Sequence, residues 1–131
     1  MRKPRYLTLA AAGVAAALLL GATLQASAAE AKKEPTGREL AFNKKKGNCL
    51  ACHQIPSDPS TRSPNSKNFT ATTIGPRLVG MKSRFPDKAK LRAQIWDATV
   101  ANPSTSMIPF GRNGVLTESE IDKVTDFIYG L

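Results

Sequence analysis

Both cysteines of this 131-residue chain and its only histidine fall within five consecutive positions, as Cys49, Cys52 and His53. Two thiols three positions apart on a helical turn can reach neighbouring edges of one planar group, and the next side chain then points beneath it. This is the CxxCH pattern, in which the thiols join the vinyl groups of a haem and the imidazole binds the iron. The motif predicts one covalent haem c at Cys49 and Cys52, with His53 as an axial ligand.

Three other uses of closely spaced cysteines fit the sequence less well. A structural zinc site needs four ligands, and no second CxxC or HxxxH completes one. A thioredoxin-like redox pair needs a strand-helix-strand context, which this segment lacks. A disulfide between Cys49 and Cys52 suits an oxidising compartment but leaves His53 without a role. Haem attachment uses all three residues.

Residues 1–28 have the order of a secretory signal peptide. The basic residues Arg2, Lys3 and Arg5 come first, then an apolar stretch from Leu7 to Leu20, then Ala26, Ser27 and Ala28. A membrane anchor is the alternative, but a spanning helix needs about 20 apolar residues and this stretch is shorter. The pattern predicts cleavage near residue 28, a periplasmic protein with no stable membrane anchor, and one domain at residues 29–131.

The net charge of +9 includes the three basic residues of the leader, so residues 29–131 carry 16 basic and 10 acidic residues and a balance of +6. This balance favours acidic partners. Nucleic acid is not an expected partner, because export removes the chain from it and no arginine-rich arm is present. A domain of this size buries a marginal core, which a large apolar cofactor would enlarge at about 25 cal/mol for each Å² buried.

Apolar periodicity and capping signals predict an all-α domain with three main helices. The first runs from about Thr36 to Lys46, where Thr36 and Glu39 have capping-box spacing and Gly47 ends the helix. The second runs from about Asp87 to Ala101, before Pro103. The third begins at Thr117, which has capping-box spacing with Glu120.

The apolar faces of the second and third helices indicate which side of each is buried. On the second, Leu91, Ile95 and Ala98 form a stripe with Trp96 beside it. The third helix shows the clearest face, formed by Ile121, Val124, Phe127, Ile128 and Leu131. Residues 56–73 are rich in Ser, Thr, Pro and Asn with almost no apolar residue except Phe69, which predicts a long surface loop. No segment has the alternation of a β-strand.

The iron of such a haem needs a sixth ligand, and residues 29–131 offer Met81 and Met107. Met107 lies in a proline-bounded loop at residues 102–111, which can hold a side chain over the haem face opposite His53. Met81 follows Gly80, and a buried methionine is more often a core residue than a ligand. We predict Met107 as the sixth ligand, with a raised reduction potential because thioether sulfur favours ferrous iron.

Pro76 lies in a glycine-bounded segment at residues 75–80. A metal-bound histidine usually donates its second ring N–H to a fixed acceptor, and the Pro76 carbonyl is one such acceptor. A tight turn packed near the haem explains the segment equally well by spacing alone.

The chain resembles class I c-type cytochromes over nearly all of residues 29–131. The resemblance rests on residues 47–54, 74–80, 102–111 and 116–121. It implies the class I cytochrome c fold, in which three main helices pack around one covalently bound haem. It also implies that the carbonyl of Pro76 accepts a hydrogen bond from His53 and that Met107 is the sixth ligand.

Within that class the chain is similar to the SoxX family, the monohaem subunits of SoxAX cytochrome complexes. The asparagine-proline entry and phenylalanine-glycine exit of the 102–111 loop carry this resemblance, and Ile108 departs from it where a second proline is common. The resemblance implies a SoxA-type cytochrome partner, and possibly a SoxYZ-type carrier protein and a downstream cytochrome. It further implies electron transfer while thiosulfate is joined to a carrier cysteine. The sulfur chemistry would belong to the partner, because this chain keeps no spare cysteine or histidine.

Two rival functions stay open. A free monomeric electron-carrier cytochrome fits the haem motif equally well. A non-redox binding module stapled by a disulfide comes from a different class, and a colourless protein would identify it. Lys44, Lys45 and Lys46 could steer an acidic partner to the haem edge, or they could simply complement the carbonyl-rich end of the first helix.

Overall fold

Four α-helices form the framework of the protein in a computed structural model that describes residues 33–69, 72 and 74–131. They are α1 (Gly37–Phe42), α2 (Met81–Arg84), α3 (Lys88–Trp96) and α4 (Glu118–Tyr129). Single 3₁₀ turns occur at Cys49–Ala51, Pro59–Thr61 and Ala98–Val100. The described residues contain no β-strand, so this part of the chain is all-α. The proposed leader, residues 1–28, lies outside them.

Both predicted capping boxes are present. The Glu39 carboxylate accepts from the backbone N–H of Thr36 at 2.7 Å, and the Glu120 carboxylate accepts from that of Thr117 at 2.9 Å. In return, each threonine hydroxyl accepts from the backbone N–H of its glutamate. These reciprocal bonds satisfy N–H groups that the first helical turn leaves without partners, and so they fix where α1 and α4 begin.

The first helix ends earlier than predicted, at Phe42 rather than Lys46. Asn43 leaves the helix in an extended conformation, and its side-chain oxygen accepts from the N–H of Lys45 at 2.8 Å. Asparagine competes with the helix in this way by offering nearby N–H groups an alternative acceptor. The chain then turns, and Gly47 donates to the carbonyl of Leu40 at 3.1 Å.

Helices α1 and α4 cross in close contact at Gly37. A Cβ atom at this position would lie 1.9 Å from the backbone oxygen of Lys123, so only glycine allows this approach. Further along the crossing, the rings of Phe42 and Phe127 meet edge to face with 6.0 Å between centroids. Leu40 is buried beside them. The contact joins the two ends of the described domain.

The second predicted helix, Asp87 to Ala101, is divided. Helix α3 stops at Trp96, and a separate 3₁₀ turn follows at Ala98–Val100. Asp97 causes the break, because its side chain accepts from the N–H of Thr99 at 3.0 Å and begins the new turn. It is buried and paired with Arg112 at 2.8 Å. The short helix α2 was not predicted. It begins directly after Gly80, whose backbone has a left-handed conformation.

One apolar core lies between α1, α3 and α4. The predicted apolar residues Leu91 and Ile95 of α3 are buried, and so is Ala98 in the 3₁₀ turn that follows. On α4, Ile121, Val124 and Ile128 are buried, whereas Phe127 and Leu131 are half-buried at the edge. None of the helices in the described part is long and apolar enough to cross a membrane.

The polar segment that follows the cysteine motif is fastened to α1 by Asp58. The Asp58 carboxylate is buried and accepts two bonds from the Arg38 guanidinium, at 2.5 and 2.9 Å. Arg38 also donates to the Ser60 hydroxyl, and Thr61 donates to the carbonyl of Ile55 at 2.6 Å. The predicted surface loop is therefore anchored at its start, while Phe69 near its end is exposed.

The Arg38 guanidinium holds the pKa of Asp58 well below its usual range, chiefly by hydrogen bonding. A lowered folded-state pKa gives stability that is present above about pH 4 and is lost as the pH falls toward the lowered value. We expect Asp58→Asn to lower the free energy of unfolding by about 1–2 kcal/mol at pH 7, and by less at pH 3. Urea unfolding at the two pH values measures this difference.

The control is Asp122→Asn, which removes an exposed carboxylate paired with Arg92. Exposed ion pairs contribute little, so this change should cost less than about 0.5 kcal/mol. A loss from Asp58→Asn that is the same at both pH values would contradict an ionic role for Asp58.

Candidate functional site

The cysteine motif begins on a tight helical turn. Asn48 takes a left-handed conformation with φ 46°, and the 3₁₀ turn Cys49–Ala51 starts directly after it. The backbone N–H groups of Cys52 and His53 both donate to the carbonyl of Cys49, at 3.2 and 2.9 Å. The two thiols and the imidazole are thus presented from one compact turn, the local geometry that the spacing predicts.

Three hydrogen bonds tie this motif to residues 75–78. Gly75 donates to the carbonyl of Cys52 at 2.8 Å, and Leu78 donates to the carbonyl of Gln54 at 2.8 Å. Between them, Nδ1 of His53 lies 2.7 Å from the carbonyl oxygen of Pro76. The His53 interaction is therefore present. The tight turn is not, because the chain bends at Ile74 and Gly75 and residues 76–79 form no turn of their own.

The Pro76 contact selects the tautomer of the neutral His53 ring. A carbonyl oxygen only accepts, so Nδ1 must carry the proton and donate it. In the neutral imidazole, Nε2 then presents an unprotonated lone pair, the state in which histidine binds metals. The chain thus prepares His53 as a ligand through one backbone carbonyl.

Gly75 fits directly against the His53 ring. A Cβ atom at position 75 would lie 2.4 Å from Cε1, 2.6 Å from Nδ1 and 2.8 Å from Nε2 of His53. No side chain can share that space with the imidazole. Sequence reasoning included Gly75 in the proline segment but missed this contact, which joins residues 22 positions apart.

A cavity of about 750 Å³ opens beside the motif. Cys49, Cys52, His53, Pro76 and Met107 all line it, so the structure brings the predicted site residues to one place. Its walls are mainly apolar, from Leu78, Leu91, Ile95, Phe110, Leu116, Val124 and Ile128. Its volume lies within the range of about 300–1,000 Å³ that is usual for ligand and cofactor sites.

The residues around this cavity fit a covalent haem. Two thiols and an imidazole with a free Nε2 come from one turn, a thioether comes from a second loop, and apolar side chains surround them. These are the groups that attach and ligate a c-type haem. The cationic residues that line the cavity are Lys44, Lys45, Lys46 and Arg84, and the described residues of the lining include no aspartate or glutamate. That charge suits a group carrying two carboxylates.

Met81 and Met107 both line the cavity but differ in their surroundings. Met81 is the first residue of α2, is 2% exposed, and its sulfur accepts from the guanidinium of Arg84 at 3.3 Å. Met107 is half-buried in the loop before α4, where its N–H donates to the Thr105 hydroxyl at 3.2 Å. Met81 is thus a core side chain with a bonded sulfur, which favours Met107 as the ligand.

The cysteines are free thiols, and both are half-buried because they border the cavity. Burial raises the pKa of the Cys49 thiol to about 12. The first cysteine of a redox-active CxxC pair has a lowered pKa instead, because the thiolate is the reactive form. This environment does not suit a thioredoxin-like pair.

A metal site built from clustered side chains is not seen in the described ranges 33–69, 72 and 74–131. They contain no group of three or more His, Cys, Asp or Glu residues placed to hold an ion.

The three lysines before the motif do not share one environment. Lys46 is half-buried and paired with Glu120 at 2.9 Å, which links the turn before Cys49 to the start of α4. Lys44 and Lys45 are exposed. All three lysines follow the C-terminal end of α1 at Phe42, so complementing its terminal carbonyls and steering a partner both stay open.

Comparison with known proteins gives one distant relative. No protein-family model matches the chain, and no solved structure matches it. A curated protein of Aquifex aeolicus (strain VF5), named an uncharacterized lipoprotein, is 31% identical over 85 residues. The match covers 65% of this chain, which spans 37% of that relative's length.

Proposed function

We propose that this protein is a periplasmic monohaem c-type cytochrome and the electron-transfer subunit of a SoxAX-like complex in thiosulfate oxidation. The observation that carries the haem assignment is the bond from His53 Nδ1 to the Pro76 carbonyl, made between two residues that line the same apolar cavity as both cysteines. The class I cytochrome c fold is part of this proposal. The all-α framework and the crossing of α1 with α4 support it.

The chain would hold the haem through Cys49 and Cys52 and ligate its iron through His53 and Met107. When bound, the haem supplies one-electron redox chemistry, and the protein supplies orientation and electrostatic tuning. The Pro76 carbonyl keeps the proton of the neutral His53 ring on Nδ1, which leaves the Nε2 lone pair for the iron. The apolar walls would keep water away from the bound haem, and the basic residues that line the cavity would offset the negative charge of its two carboxylates.

Export is supported by the leader pattern of residues 1–28 and by the name of the relative, since lipoproteins are exported. The SoxAX-like role has narrower support. It rests on the 102–111 loop and on the absence of any further cysteine or histidine in the sequence to carry out sulfur chemistry. A free electron carrier is the alternative, since it needs the same haem site.

The first experiment is expression with the cell's haem-attachment machinery, followed by visible absorption and mass measurement after denaturation. We expect a coloured protein that retains one haem when unfolded. The control is a Cys49→Ser/Cys52→Ser double variant, which should retain none. A colourless parent protein would refute the cytochrome and leave the disulfide-stapled binding module.

The second experiment tests the pathway. We expect co-expression with a SoxA-type chain to give a stable complex through a tag on either subunit. Thiosulfate should then reduce the haem only when this partner and a SoxYZ-type carrier are present. A free carrier predicts no stable complex.

The lysines give a separate prediction about partner association. We expect Lys44→Glu/Lys45→Glu to slow association with an acidic partner about ten-fold at low salt, and much less at high salt, because exposed charges steer encounter. Stopped-flow association at two salt concentrations measures this. Lys67→Glu is the control, since Lys67 is exposed but does not line the cavity. An equal effect from Lys67→Glu would show that the association rate depends on net charge and not on the positions of Lys44 and Lys45.

A further inference from the structure

A second, smaller cleft of about 350 Å³ is lined by the residues that directly follow His53 and Pro76 in the sequence. It shares no lining residue with the large cavity. These residues are Gln54 and Arg77, and Arg62 and Phe69 from the anchored loop also line the cleft. The cleft therefore joins the two segments whose hydrogen bond orients the imidazole.

The charge of this cleft is not balanced within the described part of the chain. The described residues that line it include two arginines and no aspartate or glutamate. Among all the described residues, the arginines that form salt bridges are Arg38, Arg92 and Arg112. Arg62 and Arg77 are not among them. Two guanidinium groups at one cleft are suited to a carboxylate, which they can bind with paired hydrogen bonds.

Backbone contacts hold Arg62 in place. Its Nε donates to the carbonyl of Pro56 at 2.8 Å, and a terminal nitrogen donates to that of Ser57 at 3.1 Å. These bonds to neutral carbonyls fix the guanidinium without cancelling its charge. Arg62 is therefore prepared to bind an anion with little loss of side-chain entropy.

The rest of the cleft indicates what the anion is attached to. Phe69 is 40% exposed at the cleft, and Pro56 provides a second apolar surface. An inorganic oxyanion would leave both unused, and it would fill only a small part of the volume. An apolar body beside a carboxylate uses the apolar surfaces and the arginines together, the usual composition of small-molecule sites.

We propose that this cleft binds a small organic carboxylate, with the carboxylate at Arg62 and Arg77 and its apolar body against Pro56 and Phe69. The occupant would contact residues next to both His53 and Pro76. An effect of binding on the haem iron rests on the proposed function, whereas the binding itself does not.

The test is a benzoate titration of the purified full-length product, followed by amide NMR shifts of Gln54, Thr61, Phe69 and Arg77 at constant ionic strength. For a ligand of this size we expect saturation with a dissociation constant on the order of a few mM. Acetate lacks the apolar body and benzyl alcohol lacks the charge, so each should bind at least about ten-fold more weakly. Arg62→Gln and Arg77→Gln should each weaken benzoate about five-fold or more, whereas Lys67→Gln should leave it unchanged.

Several results would overturn the proposal. They are shifts that do not saturate, equal binding of sulfate or acetate, equal binding of benzyl alcohol, and unchanged affinity in both arginine variants. Arg62 also anchors its loop, so Phe69→Ala serves as a second variant that keeps both arginines and should weaken benzoate but not acetate. The visible spectrum of the same sample reports haem content, so the cleft and the cytochrome proposal can fail independently.

Discussion

Replacing Gly75 with alanine is expected to displace His53 and to abolish its normal coordination of a haem iron. The added Cβ would lie 2.4 Å from the ring, and a ring that moves away loses its bond to the Pro76 carbonyl. Overpacking of this kind costs about 1–3 kcal/mol, and the lost hydrogen bond adds to that. Visible spectra of the oxidised and reduced protein report the coordination, and urea unfolding reports the stability.

Gly130→Ala is the matched control for this variant. A Cβ atom there would meet its nearest neighbour at 3.4 Å, an ordinary contact, and we expect a change in stability within about 0.5 kcal/mol. If Gly75→Ala behaved like Gly130→Ala in both measurements, the close fit between Gly75 and the imidazole would be wrong.

Replacing each methionine singly with alanine should show which one is the iron ligand and which one is a core residue. Met107→Ala is expected to lower the reduction potential by on the order of 100 mV, because axial ligands set potentials over a span of about 0.8 V. Its effect on stability should be smaller, since Met107 is half-buried. Redox titration measures the first quantity and urea unfolding the second.

Met81→Ala should show the opposite pattern. Its side chain is 2% exposed in the core, and truncation of a buried methionine costs about 2–5 kcal/mol. The potential should change little, because the sulfur of Met81 is bonded to Arg84. If Met81→Ala lowered the potential and Met107→Ala did not, the ligand assignment would be reversed.

Much of this architecture could be predicted because its signals are local. The capping boxes at Thr36 and Thr117 need only four consecutive residues, and both are found. The buried stripe of α3 follows from helical periodicity in the same way. The spacing of Cys49 and His53 likewise predicts that both face one site, and they line one cavity.

Features that sequence reasoning missed depend on distant contacts or on competition within a turn. Helix α1 was predicted too long because its end was placed before Gly47, whereas Asn43 ends it at Phe42. The break after α3 depends on Asp97, which pairs with Arg112 from a later loop. Helix α2 has four residues, too few for any periodicity to show. The separate environment of Lys46 depends on Glu120, 74 residues away.

The crossing at Gly37 also has a consequence for the order of assembly. It unites positions 86 residues apart, and closing so long a loop is entropically costly until other contacts compensate. The turn that carries Cys49 and Cys52 follows α1 closely in the sequence, whereas Val124 and Ile128 of the cavity wall belong to α4. We therefore expect Cys49 and Cys52 to stay accessible to the haem-attachment machinery until α4 docks. Deletion of α4 should leave a polypeptide that acquires haem but does not reach the folded state.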